Sequence, residues 1–358
     1  MSGADGAHSE SDTRVANPAT PARDSRHLVE LAGVGMTALL AAVMVAFLVL
    51  YWAQDLPVAS GLYDAFRSFG RDMDAVLGTN VFQHPFMWQS IATGVLIGVV
   101  APLVGSFLVH REMALIGETL AHTAFAGVAL GFLVNATTAW DGPVLVVALA
   151  VGILGALGVQ WLTARTNTYG DVPIAIMLSG SFAIGTLIVS YGRGLTGINI
   201  EGYLFGNIAV VTVEGARLMG ALSILVVGAV AFTYKQLLFI TFDEQAARVA
   251  QLNVTGYNTL LIVLTAVVVV GAMQVLGVIL VAAMLVVPVA AASQVARSFR
   301  ETTYLSVIFG QLSVIGGFAF SISQGLPSGG SIVVVAIAIY LAAIAVSGFS
   351  VKAISTRG

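Results

Sequence analysis

"GETLAHTAFAGVALGF", residues 117–132, has the composition of the middle of a membrane-spanning helix, yet it carries Glu118 and His122 four residues apart. An acid at the centre of such a helix costs about 3 kcal/mol on insertion scales, so it marks either a function or a paired contact. The text around this stretch is of the same kind. The 358-residue chain is 58% hydrophobic and only 9% charged, with mean hydropathy +0.95. Soluble domains carry about 25% charged residues. Repeated apolar runs of roughly 18 residues or more therefore predict an all-α, polytopic membrane helix bundle.

Ten spans are expected, near residues 28–52, 86–109, 113–134, 143–163, 172–191, 215–234, 257–272, 275–296, 304–323 and 331–349. "GYLFGNIAVVT", 202–212, is too short to cross and reads as a re-entrant or interfacial turn. Residues 1–27 are rich in Ala, Ser, Asp and Thr and are expected to be a disordered cytoplasmic N-terminus. The apolar stretch that follows is too long for a secretory signal and lacks a small-residue cleavage site, so it reads as a retained first span. Residues 350–358 read as a cytoplasmic tail.

Basic residues set the orientation. With the N-terminus inside, Arg14, Arg23, Arg26, Arg111, Arg165, Lys235, Arg248, Arg297, Arg300, Lys352 and Arg357 are cytoplasmic, against Arg67, Arg71, Arg193 and Arg217 outside. Both termini are thus expected inside. The absence of cysteine excludes disulfides, thiolate metal sites and cysteine nucleophiles.

Residues i and i+4 share a helix face, so Glu118 and His122 can point into one space. Counting from Glu112 at ~1.5 Å per residue, they sit ~9 and ~15 Å into a ~30 Å core. No other acid or histidine lies so deep in an expected span. Carboxylate plus imidazole suits divalent Zn, Mn or Fe, with Thr119 and Thr123 as possible hydroxyl ligands. A proton relay or an interhelical packing contact would use the same pair. Gly94 with Gly98, and Gly127 with Gly131, have the spacing of close helix packing, and no function is drawn from them.

"FDEQAARVA", 242–250, interrupts the apolar text with a helix start: Asp243 as N-cap, Glu244 in the first turn, and Ala246, Ala247 and Ala250 as a small-residue face before and after Arg248. A short cytoplasmic helix between spans suits either docking of a partner or a plain linker.

Five segments, in order, resemble the permease subunits of metal-ion ABC importers, the family that takes up zinc, manganese or iron. They are "HREMALIGETLAHTAFAGVALGF", "DVPIAIMLSGSFAIGTLIVS" at 171–190 with "EGYLFGN" at 201–207, "FDEQAARVAQLNV", "VLGVILVAAMLVVPVAAA" at 275–292, and "LPSGGSIVVV" at 326–335. The likeness runs from about residue 86 to 349, which leaves 28–85 as an added span and external loop. The resemblance implies a homodimeric permease in the plasma membrane, with cytoplasmic ABC ATPase subunits and an extracytoplasmic metal-binding protein as partners. Lipid surrounds it, and no nucleic acid or permanently bound cofactor is expected; the divalent ion is substrate. It places the metal path at Glu118 and His122 and the ATPase coupling at Asp243, Glu244, Ala247 and Arg248. The family's aspartate is Glu118 here, its serine before the histidine is Ala121, its proline before the motif glycine is Ala126, and the glycine ending the coupling helix is Gln251.

A nucleotide-binding P-loop needs Lys followed by Ser or Thr. The only lysines, Lys235 and Lys352, precede Gln236 and Ala353, so ATP hydrolysis would fall to another chain. HExxH spacing is absent, and no serine–histidine pair has useful spacing within a span, so an intramembrane enzyme is not expected. Two alternatives are a proton-coupled secondary transporter and a permease for a chelated metal of siderophore type. The first often has paired interrupted helices, which are not visible here. The second needs no ligand pair in its path.

Overall fold

A computed structural model describes residues 21–53, 57–138, 140, 142–165, 171–192, 200–206 and 211–355. Among these there are thirteen helices and no strand: α1 (Pro21–Trp52), α2 (Pro57–Leu77), α3 (Pro85–His110), α4 (Ala114–Thr137), α5 (Val144–Arg165), α6 (Val172–Gly192), α7 (Ile200–Phe205), α8 (Val213–Phe242), α9 (Glu244–Val249), α10 (Val254–Leu276), α11 (Val278–Val295), α12 (Phe299–Gln324) and α13 (Ser328–Ser355). Ten are long and apolar enough to cross a membrane, and they fall on the ten expected spans. Their apolar length and internally satisfied backbones are what lipid demands. With N-in polarity, α2 and α7 lie outside and α9 inside.

Local chemistry sets the boundaries. Thr212, Asn253 and Ser298 cap α8, α10 and α12 by accepting from the backbone N–H groups of Gly215, Gly256 and Glu301 at 3.0, 3.0 and 3.2 Å. Gly277, at φ +78°, divides α10 from α11. Its missing Cβ also lets this break meet the backbone of Leu204–Gly206 at the end of α7.

α3 and α10 are the most enclosed spans. α3 packs against α12, α8, α11, α10 and α1, while α10 packs against α5, α3, α8 and α4. Of the glycine pairs, Gly98, Gly127 and Gly131 lie where backbones approach, and Gly94 faces the Phe318 ring. A Cβ on Gly98 would come 3.2 Å from the Gly310 carbonyl of α12, and one on Gly127 would come 2.8 Å from Ala148 Cα of α5. They are packing glycines, as their spacing suggests.

α8 runs to Phe242, past the expected end at 234, and three further segments differ from the sequence reading. α1 starts at Pro21, inside the segment expected to be disordered, because proline suits a first helical turn and no breaker follows it; residues 1–20 lie outside the described residues. α13 likewise runs through Ser355 into the expected tail, and 356–358 lie outside the described residues. The external loop contains α2, whose Tyr63, Phe66, Gly70 and Met73 turn inward at helical spacing. There Phe66 meets Phe47 at 4.7 Å and Trp88 at 4.7 Å between ring centroids, fastening α1 to α3. In the last turn of α2, Asp74 accepts from the Thr79 hydroxyl (2.7 Å) and the N–H groups of Val81, Phe82 and Gln83 (2.9, 2.9 and 2.8 Å).

Candidate ion-path site and cytoplasmic docking helix

α4 brings Glu118 and His122 to neighbouring turns and lies against α5, α6, α10 and α11. The Glu118 carboxylate is exposed in the single chain, whereas His122 is half-buried. Its ring stands edge-on to Phe182 of α6 at 5.0 Å, and Phe125 meets the same ring at 5.9 Å. His122 Nδ1 is buried with no hydrogen-bond partner among the described residues. Buried polar atoms are normally satisfied, so an orphaned imidazole nitrogen beside a carboxylate is a donor set without its acceptor. Among the described residues no third His, Asp or Glu gathers with the pair.

Thr119 and Thr123 take a different part. Both are buried, and their protons are committed within the α4–α6 contact. Thr119 Oγ1 donates to the Leu115 carbonyl (3.0 Å) and lies 3.3 Å from that of Ile174 on α6. Thr123 Oγ1 donates to the Thr119 carbonyl (2.9 Å) and shares a hydrogen bond of 3.0 Å with Ser181 Oγ. The two threonines thus fix α6 to α4 beside the exposed Glu118. The sequence reading missed Ser181: only its apolar helix was noted, and a partner 58 positions away leaves no local signal.

On the cytoplasmic side Asp243 caps α9, accepting from the Ala246 N–H at 2.8 Å. Ala247 is fully buried with Ile240 and Val254, which seats the short helix against the ends of α8 and α10. Arg248 projects outward with its side chain 63% exposed and donates to Glu244 at 2.5 Å. The other Glu244 oxygen lies 3.7 Å from Arg111, in the connection between α3 and α4. Arg111 was counted in the sequence only for orientation. Burial pulls its pKa down and Glu244 pushes it back up, and a guanidinium stays cationic through such shifts.

The chain is similar to known transport proteins. Residues 83–347 match the ABC 3 transport family. The chain is 32% identical over 263 residues to the "Manganese transport system membrane protein MntC" of Listeria innocua, covering 74% of this chain and 91% of that protein. It is 26% identical over 248 residues to the "High-affinity zinc uptake system membrane protein ZnuB" of Haemophilus influenzae, covering 69% and 92%. Among solved structures, "PsaBC from Streptococcus pneumoniae in complex with Fab" superposes with a TM-score of 0.65 at 28% identity, over 76% of this chain and 93% of that one.

Proposed function

The chain belongs to the ABC 3 transport family and is a multi-pass permease of the plasma membrane; we propose that it imports a divalent metal ion, manganese or zinc, with Glu118 and His122 as transient ligands in the ion path. One observation carries this reading. A membrane-crossing helix of a transport protein presents an exposed carboxylate one turn from an imidazole whose buried Nδ1 has no hydrogen-bond partner among the described residues. Neutral imidazole with a carboxylate suits both metals named for the relatives. A shell with only two strong ligands also permits release. Thr119 and Thr123, with Ser181, hold the registry of α4 and α6 behind the pair.

The family match supports the rest of the assembly that we propose. A second copy of the chain covers the exposed side of Glu118. ABC ATPase subunits dock at α9 through Asp243, Glu244, Ala247 and Arg248, since this chain has no P-loop of its own. An extracytoplasmic binding protein delivers the ion. Residues 28–85 are an addition to the transport unit at 86–349. Neither proton-driven exchange nor carriage of a bulky chelate accounts for the family match together with the ligand pair.

The test is ATP-driven uptake by vesicles holding the permease, its ATPase and its binding protein, with manganese and zinc in competition. Uptake that needs ATP and is blocked by one of these ions supports the reading. Uptake that persists without ATP and follows a proton gradient contradicts it.

A further inference from the structure

We propose that Arg111 is the positioning residue that transmits movement of α9 to α4, and so to the Glu118–His122 pair. The inference rests on the reading of α9 as the ATPase-docking helix. Its basis is the way one buried cation joins the α3–α4 connection to α9 and α10, two consecutive helices more than a hundred positions along the chain.

Arg111 lies in the three-residue connection between α3 and α4, with its side chain 7% exposed. Nη2 donates to Asn258 Oδ1 on α10 at 2.6 Å, across 147 sequence positions, and lies 3.7 Å from Glu244 Oε2 on α9. The connection itself is stiff. Arg111 N donates to the Phe107 and Leu108 carbonyls, Met113 N donates to the Leu108 carbonyl at 2.9 Å, and Ile116 N to the Met113 carbonyl at 3.1 Å. A pull on the guanidinium is therefore delivered to the first turn of α4. Glu118 lies four residues beyond Ala114 at the start of α4, ~6 Å along the helix at ~1.5 Å per residue.

The acceptors make the link responsive to what touches α9. Glu244 divides its oxygens between exposed Arg248 and buried Arg111. A docked acidic group that engages Arg248 would leave Glu244 to Arg111 alone, and a docked basic group that engages Glu244 would leave Arg111 with Asn258 alone. A planar guanidinium has five N–H donors in fixed directions, so it can exchange one acceptor while keeping another. Arg111 Nη1, buried and without a partner among the described residues, provides such a spare donor. The connection also holds Glu112 at φ +58°, a conformation an L-residue keeps only where its surroundings impose it.

The experiment uses the assembled permease–ATPase complex in vesicles and reads two quantities together: metal ions moved and ATP hydrolysed. Arg111→Gln keeps a planar donor but removes the charge. It is expected to lower the metal moved per ATP about fivefold or more, the usual size of a coupling between sites, with Arg111→Lys recovering part of the loss. An unchanged ratio in Arg111→Gln overturns the proposal, and so does loss of ATPase co-purification in that variant, which would make Arg111 a docking residue. If Arg111→Gln does not insert, Asn258→Ala and Glu244→Gln decide. Each should lower the ratio, and together they should lower it by less than the product of the two, because both act through one guanidinium. Unchanged or simply multiplying ratios overturn the proposal. The docking premise is judged separately: normal ATPase co-purification in an Asp243→Ala, Arg248→Ala double variant would remove α9 from the interface whatever the Arg111 result.

Discussion

Gln251 holds φ at +58° just past Ala250, the C-cap of α9, at the position where the resembling family ends its coupling helix with glycine. A left-handed conformation costs a residue with a Cβ roughly 1–2 kcal/mol, and glycine gives back about 0.5–1 kcal/mol of that through its freer unfolded chain. Gln251→Gly is therefore expected to stabilise the permease by about 0.5–1 kcal/mol, seen as a higher unfolding temperature in detergent, whereas Gln251→Val should lower it. Asp74 illustrates the opposite balance. Burial raises its pKa, but hydrogen bonds from Phe82, Thr79, Val81 and Gln83 overcome that and hold it at about 2, below the ordinary 3.8. A depressed folded value means that the stabilisation is complete above the ordinary value and is lost as pH falls towards the folded one. Hydrogen exchange should find the amides of Val81, Phe82 and Gln83 protected down to about pH 4 and progressively released towards about pH 2. Asp74→Asn should show no such pH step, and release of the native amides already near neutral pH would contradict the assignment.

At the scale of elements, the ten crossing helices were legible because lipid allows few alternatives to a long apolar helix, and composition alone reports that. α9 was legible from its cap, since Asp243 and the alanines are local signals. α2 was read as loop because its charges, Asp64, Arg67, Arg71 and Asp72, mask an inward stripe at Tyr63, Phe66, Gly70 and Met73. Polarity was taken as loop where period was the better guide. The orientation of all these elements rests on the basic-residue count, and the chain's lack of cysteine makes it testable. Single cysteines at exposed Ala75, beside Asp74, and at exposed Ala250, after α9, lie on opposite sides of the membrane in the N-in arrangement. An impermeant thiol reagent on intact cells should label position 75 and spare position 250. Labelling of position 250 alone would invert the topology and move the docking helix outside.

For the whole molecule, the site divides into what composition shows and what only folding assembles. Glu118 and His122 stood out because a carboxylate and an imidazole are visible in apolar text, whereas Ser181 and the Arg111–Asn258 link join residues 58 and 147 positions apart. No local pattern encodes such contacts. In the proposed function α4 is the path helix, held by α6 through Thr119 and Thr123 and linked to α9 through Arg111 at the end of the connection that precedes it. The central claim is that the metal passes over Glu118 and His122. Uptake by vesicles bearing Glu118→Gln and His122→Asn tests it most directly, because both replacements keep size and hydrogen bonding while removing the charge or the imidazole. Each should cut uptake at least about tenfold, the low end of the loss found even for groups that merely support a ligand, while Glu118→Asp retains most of it and the ATPase still co-purifies with all three. Wild-type uptake in both Glu118→Gln and His122→Asn would show that the pair is a packing contact and that the ion travels elsewhere.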